Sequence, residues 1–160
     1  MMLLSSVDRS ALTQLLAGYG LELRPVAANA PIPGSYWGES EAGLEANVLF
    51  ARPDTPLHSV LHEAAHYICM TPQRRAALVR DAGGDDAEES AVCYLQILMA
   101  DALGACARQQ LYDDMNRWGY SFRLGCARAW FEQDAADERS WLLERSLIDE
   151  RQRLTGALRG

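Results

Sequence analysis

Apolar positions change their spacing several times along the first fifty residues. Val7, Leu12, Leu15 and Leu16 recur at helical intervals behind Ser5 and Ser6, which predicts a capped helix ending near Gly18 and Gly20. LELRPVA (21–27) reads as a short strand and ANAPIPG (28–34) as a loop rich in breakers. YWGE (36–39) and LEANVLF (44–50) read as two strands joined by a turn around Ser40 to Gly43. Together these segments predict a small, mostly antiparallel sheet.

After ARPDTP (51–56) the period moves to about 3.6. Leu57, Leu61, Ala64, Ala65 and Ile68 share one helical face. Thr71-Pro72 has the form of an N-cap followed by proline at the first helical position, so a second helix is expected from there to Gly83-Gly84. Asp85 or Asp86 caps a third, whose apolar stretch AVCYLQILMADAL stops at Gly104. The remainder reads as helical, interrupted at RWGYSFRLG (117–125). The expectation is one α+β domain over 1–160, with its core at about 20–104 and a helical part at about 105–160. No repeat or low-complexity segment divides it.

Composition narrows the chemistry. Net charge is −7 and pI about 4.9, which argues against a general nucleic-acid surface. All fifteen basic residues are arginine, so a P-loop lysine and a Schiff-base lysine are excluded. The apolar start MMLL is too short for a signal peptide, and no later apolar run reaches membrane-spanning length. Cys69, Cys93, Cys106 and Cys126 form no CxxC pair and are expected as reduced core thiols of a cytoplasmic protein.

The three histidines, His58, His62 and His66, are spaced four apart in HSVLHEAAHYIC (58–69). Residues one helical turn apart can place two imidazole nitrogens on one ion. Glu63, between His62 and His66, then lies beside the pair, where it can take a proton from a water that the metal acidifies. His58 is two turns from His66, about 12 Å along the axis, so it cannot share that ion. It is left to support the site from outside or to face substrate.

A catalytic zinc site usually has three protein ligands and an open position. No histidine follows His66, and Cys69 and Pro72 occupy the glycine and histidine positions of the longer HExxHxxGxxH pattern. The third ligand must then be a carboxylate or thiolate, and the helix over 83–100 offers Glu88 and Glu89. Glu88 shares a face with Ala91, Val92, Leu95 and Met99; Glu89 shares one with Val92, Cys93, Gln96 and Ile97. Periodicity does not choose between them, although Glu88 leads slightly. An acid here can also serve the helix dipole or a capping box.

A short sheet, an HExxH helix and a glutamate on a following helix resemble the zincins of the glutamate-ligand branch. EESAVCYLQILM (88–99) resembles the E-x-x-A-x-x-[FY] helix of minimal ImmA/IrrE-type metallopeptidases, with Glu88, Ala91 and Tyr94 in the motif positions. The resemblance implies a zincin-like fold, Zn2+ on the two histidines and the glutamate, Glu63 as general base, and a peptide or protein substrate held along strand 44–50. VLFARPDTPLHSVLHEAAHYICMTPQRR (48–75) is similar to elongation factor P hydroxylases, which implies a two-histidine, one-carboxylate Fe2+ centre. On that match Arg74 and Arg75 are the paired arginines, and Glu89 to Gln96 has the carboxylate-to-glutamine spacing. The expected PDGR segment is replaced by DAGGDD. A zinc-stabilised binding domain without turnover is a third reading.

Tyr120 and Arg123, in the aromatic stretch around the turn, are candidates for stabilising an oxyanion opposite the metal. Arg74 and Arg75 read as a solvated helix face. Residues 134–150 read as an exposed amphipathic helix suited to a partner. The expectation is therefore a zinc metallopeptidase with His62, His66 and Glu88 or Glu89 as ligands, acting on peptide or protein, with neither nucleic acid nor membrane as partner.

Overall fold

A computed structural model describes residues 1–36, 38, 40–78 and 83–160 of the chain. It is a mixed α+β protein, mostly helical, with a three-stranded sheet near its start. A 3-10 turn, Leu4–Ser6, precedes α1 (Arg9–Ala17). The cap of α1 is Asp8, which accepts from the amides of Ser10 and Ala11, and not Ser5 or Ser6 as expected. Those serines are held elsewhere because Leu4 N donates to Thr55 O at 2.8 Å and Ser5 N to Pro53 O at 3.0 Å.

β1 (Glu22–Pro25), β2 (Gly43–Glu45) and β3 (Val48–Ala51) lie in the order β1-β3-β2. β2 pairs antiparallel with β3, but β1 pairs parallel with it, Glu22 opposite Val48 and Pro25 opposite Ala51. The sheet is mixed, which corrects the mostly antiparallel expectation. LEANVLF is also not one strand but a tight hairpin. Ala46 adopts φ +51° at its tip, and Asn47 Nδ2 donates to Gly20 O at 3.0 Å to tie the hairpin to the end of α1. The strand expected over 36–39 falls in part on Trp37 and Glu39, outside the described residues; Tyr36 and Gly38 are not in a strand.

α2 (Leu57–Cys69) crosses the centre of the molecule, and Leu57, Leu61, Ala64, Ala65 and Ile68 are fully enclosed as their spacing requires. α3 (Pro72–Ala76) is capped by Thr71, whose hydroxyl accepts from Arg74 N at 3.3 Å. It ends earlier than the expected Gly83-Gly84, and residues 79–82 lie outside the described set. α4 (Asp86–Ala102) is capped by Asp85, which accepts from Glu88 N at 2.8 Å. α5 (Ala105–Trp118) ends at Gly119, φ +101°, a left-handed position that glycine adopts without steric cost. α6 (Ala127–Gln133) and α7 (Ala136–Glu144) follow.

α4 packs against α2, α5 and α7. The hydrophobic core is one cluster with members from Leu4 to Ile148. Residues 134–150 do not form one exposed helix. α7 packs on α4, and the chain beyond it turns at an Ile148–Leu154 bridge and returns to α2, where Arg159 N donates to Ile68 O at 3.0 Å. All four cysteines are free: Cys69 and Cys93 are buried as expected, whereas Cys106 is exposed and Cys126 intermediate. No helix among the described residues is long and apolar enough to cross a membrane.

Candidate metal centre

Two adjacent helices supply the cluster. His62 and Glu63 are the two residues of α2 that are not buried, and His66 follows one turn later. Facing them, Glu89, Cys93 and Gln96 succeed one another along one side of α4. His62 Nε2 and His66 Nε2 are 3.1 Å apart. The Glu89 carboxylate lies across both, 3.2 Å from His62 Nε2 and 3.1 Å from His66 Nε2. One ligand atom from each of the three side chains lies within 4.8 Å of the other two.

Gln96 fixes the tautomer of His62. Its Nε2 donates to His58 O at 2.7 Å, which turns Oε1 toward His62 Nδ1 at 3.1 Å. An amide oxygen only accepts, so this network assigns the proton to Nδ1 and leaves the Nε2 lone pair directed at the cluster. Lone pairs of His62 and a carboxylate this close repel unless a proton or a cation lies among them. Two imidazoles and one carboxylate are a donor set suited to a divalent transition ion.

The electrostatics of the cluster without an ion point the same way. Burial opposes a charge on His62, but the hydrogen bond and charge of Glu89, the charge of Glu63 and the Gln96 contact together raise its pKa. Burial likewise opposes a charge on Glu89, yet both histidines hold its carboxyl well below the usual range. A proton shared between them is therefore drawn to His62 and away from the Glu89 carboxyl, in the place a cation would take. Glu63 is pushed up by burial, with Glu89 and Glu41 adding to the effect and the two histidines opposing it. Among the described residues its carboxylate has no hydrogen-bond or ion-pair partner.

The adjacent glutamate has a different fate. Glu88, only 3 % exposed, accepts from Arg74 at 2.9 and 2.7 Å and from Arg159 at 2.9 Å. It does not face the histidines, so the slight lead given to Glu88 over Glu89 is corrected. The capping box is also half made: Asp85 caps the Glu88 amide, but the Glu88 side chain goes to the arginines. Gly84, at φ +107°, leaves room for this, since a Cβ there would collide with Glu88 Oε2. Arg74 and Arg75 are not a solvated face. Arg75 donates to Tyr67 O at 2.9 Å and Met70 O at 2.8 Å, closing the carboxyl end of α2.

His58 does not reach the cluster, as its spacing requires. It is 1 % exposed, and burial pushes its pKa down to about 4. Its Nδ1 lies 3.3 Å from the Tyr120 hydroxyl. Tyr120 does come to the site, its ring centroid 5.7 Å from that of His62. Arg123 lines the neighbouring cavity with Glu89 and Tyr120, but its guanidinium is engaged by Asp134, donating to Oδ2 at 2.6 Å and to the backbone O at 3.0 Å.

A cavity of about 280 Å³ opens on the cluster, lined by Glu41, Ser59, His62, Glu63, Glu89 and Tyr120 among others. A second, of about 350 Å³, lies on the other side of Glu89 and Tyr120 and includes Cys93, Phe122 and Trp130 in its wall. Glu41 was not singled out from the sequence. It is 6 % exposed, and its Oε1 is buried with no hydrogen-bond partner among the described residues. A lone acid in a loop that precedes a strand carries no periodic signal, so nothing short of the fold places it at the site. Compared with protein families, curated proteins and solved structures, the chain matches none.

Proposed function

We propose that this chain is a metal-dependent hydrolase of zincin-like type, with His62, His66 and Glu89 as ligands and Glu63 as general base. The observation that carries this reading is Glu63 itself. It sits in the cavity wall beside His62 and Glu89, lacks any structural partner among the described residues, and is made more basic by burial. A helix residue that served only stability would pair its carboxylate or expose it. A bound divalent ion would supply Lewis acidity at this position. The chain's own residues then hold the ion, keep the His62 tautomer through Gln96, and accept a proton at the Glu63 carboxylate. The substrate is a peptide or protein, and the protein is cytoplasmic.

One observation favours a second reading, an Fe2+-dependent protein hydroxylase. The cluster uses Glu89 and the His62 support is Gln96, the two positions with the spacing of elongation factor P hydroxylases, whereas the peptidase resemblance runs through Glu88. Elemental analysis and assay of untagged protein separate the two. Stoichiometric zinc, lost in His62→Ala, with peptide cleavage that Glu63→Ala abolishes while keeping the metal, is the expected result. Stoichiometric iron with substrate-dependent oxygen uptake and no cleavage would replace it with the hydroxylase.

A further inference from the structure

The second cavity plays no part in the chemistry proposed above. It measures about 350 Å³, and Glu89 and Tyr120 stand in the walls of both cavities, so the two adjoin. Phe122, Trp130 and Glu138, which give it its character, follow α5 and lie beyond the segments that resemble either family. Three charged groups among the described residues line it, and two are already engaged. Glu89 lies across His62 and His66, and Arg123 donates to Asp134. Glu138 is left over. It is 7 % exposed, and its Oε2 is buried with no hydrogen-bond partner among the described residues. Its Oε1 is 3.8 Å from Arg123 Nη2, beyond hydrogen-bonding distance. An acid in the first turn of α7 suits the helix dipole, but an exposed carboxylate serves that purpose without burial. Burying a carboxylate oxygen that no donor satisfies costs free energy, which a cationic group of a ligand would recover.

The apolar wall narrows the class of cation. The Tyr120 and Phe122 rings lie 4° from parallel with centroids 6.1 Å apart, and the Trp130 ring follows 5.0 Å from Phe122. Aromatic faces attract a cation through their quadrupoles. A guanidinium is flat, stacks on such rings and is more weakly hydrated than an ammonium, so it enters an aromatic cavity at lower cost. It also offers a carboxylate a fork of N–H donors. We infer that this cavity is a subsite for the guanidinium of an arginine side chain, which pairs with Glu138 against the aromatic wall. The arginine belongs to a peptide whose backbone lies over the His62–His66–Glu89 cluster. The inference rests on the metal-centre reading for the place of that backbone, and adds to it the residue that is recognised.

The test uses the full chain loaded with Co2+ and the N-acetyl hydroxamates of arginine, lysine and norleucine, with binding followed by the cobalt absorption bands. In each ligand the hydroxamate takes the ion and only the side chain differs. The arginine ligand should bind about tenfold more tightly than the norleucine one, a difference of about 1.4 kcal/mol, with lysine between them. Glu138→Gln should bring the arginine-to-norleucine ratio close to one. Phe122→Leu should lower it in part, because an aromatic face is lost while the carboxylate stays. The ratio is read within one protein, so a variant that folds poorly weakens all three ligands together and leaves it unchanged. Equal binding of arginine and norleucine by wild type, or a ratio that survives Glu138→Gln in folded protein, overturns the inference. Lysine binding as tightly as arginine also overturns it, since the cavity would then read charge alone. If wild type holds no cobalt, or His62→Ala holds as much, the metal-centre reading fails and this inference fails with it.

Discussion

Two neighbouring glutamates on α4 face different partners, and the difference between them is one helical step of about 100°. Glu89 meets two imidazoles; Glu88 meets two arginines. Glu89→Gln should remove the metal with little effect on the fold, read by metal content. Glu88→Gln should keep the metal but lower stability by about 1–3 kcal/mol in denaturant unfolding, since it removes the buried carboxylate that two part-buried arginines share. The sequence narrowed the third ligand to these two positions and no further. What separates them is the pair of arginines that Glu88 meets, Arg74 from α3 and Arg159, 71 positions beyond Glu88, and no periodicity reports contacts of that kind. His58 provides a pH test. Its pKa falls from 6.5 to about 4 on folding, so between those values the unfolded chain binds the extra proton. Its contribution is present in full above pH 6.5 and is lost as pH falls to about 4, amounting to about 3 kcal/mol at 1.36 kcal/mol per unit. His58→Asn should flatten the stability curve over that interval, measured on metal-free protein.

At the scale of elements, the long periodic segments were legible. α2 and α4 carry apolar residues at helical spacing, α4 with a recognisable Asp85 cap, and both form where that spacing puts them. Asp85→Ala should cost about 1 kcal/mol by thermal unfolding, the usual value of an N-cap side chain. The short and the charged segments were not legible. LEANVLF alternates well enough for one strand, but Ala46 accepts a left-handed turn because Asn47 is anchored to Gly20, a tertiary contact that overrides local preference. β1 likewise contains nothing that marks it as parallel; the path of the intervening loop decides that. Beyond α7, ERSLIDERQRL has the composition of a helix. Ser146 at φ +59° and Gln152 at φ +61° break it, while Leu147 and Ile148 are buried and Leu154 packs against the core.

For the whole molecule, the cluster depends on how α2 and α4 lie against each other. Leu61, fully enclosed on α2, is one of the side chains that hold them in the shared core. Leu61→Ala should destabilise by about 2–5 kcal/mol, as a core cavity does. An ion that binds only the folded state adds stability by mass action, so a chelator should lower the melting temperature of wild type and leave that of His62→Ala unchanged. No shift in wild type would mean that the three side chains meet without holding an ion.

The segment after α7 ends against both helices that carry the cluster. Arg159 donates its backbone amide to Ile68 O and its guanidinium to Cys69 O and to Glu88. It thereby works as a clasp, joining the end of α2 to the start of α4 one residue before Glu89. A nick in the turn at 149–153 would leave every ligand in place while freeing the clasp. Limited proteolysis and metal release should therefore run on one clock: cleavage in that turn should precede loss of the ion, and a bound ion should slow cleavage in return. A segment that touches no ligand then becomes the means by which degradation and metal retention are linked.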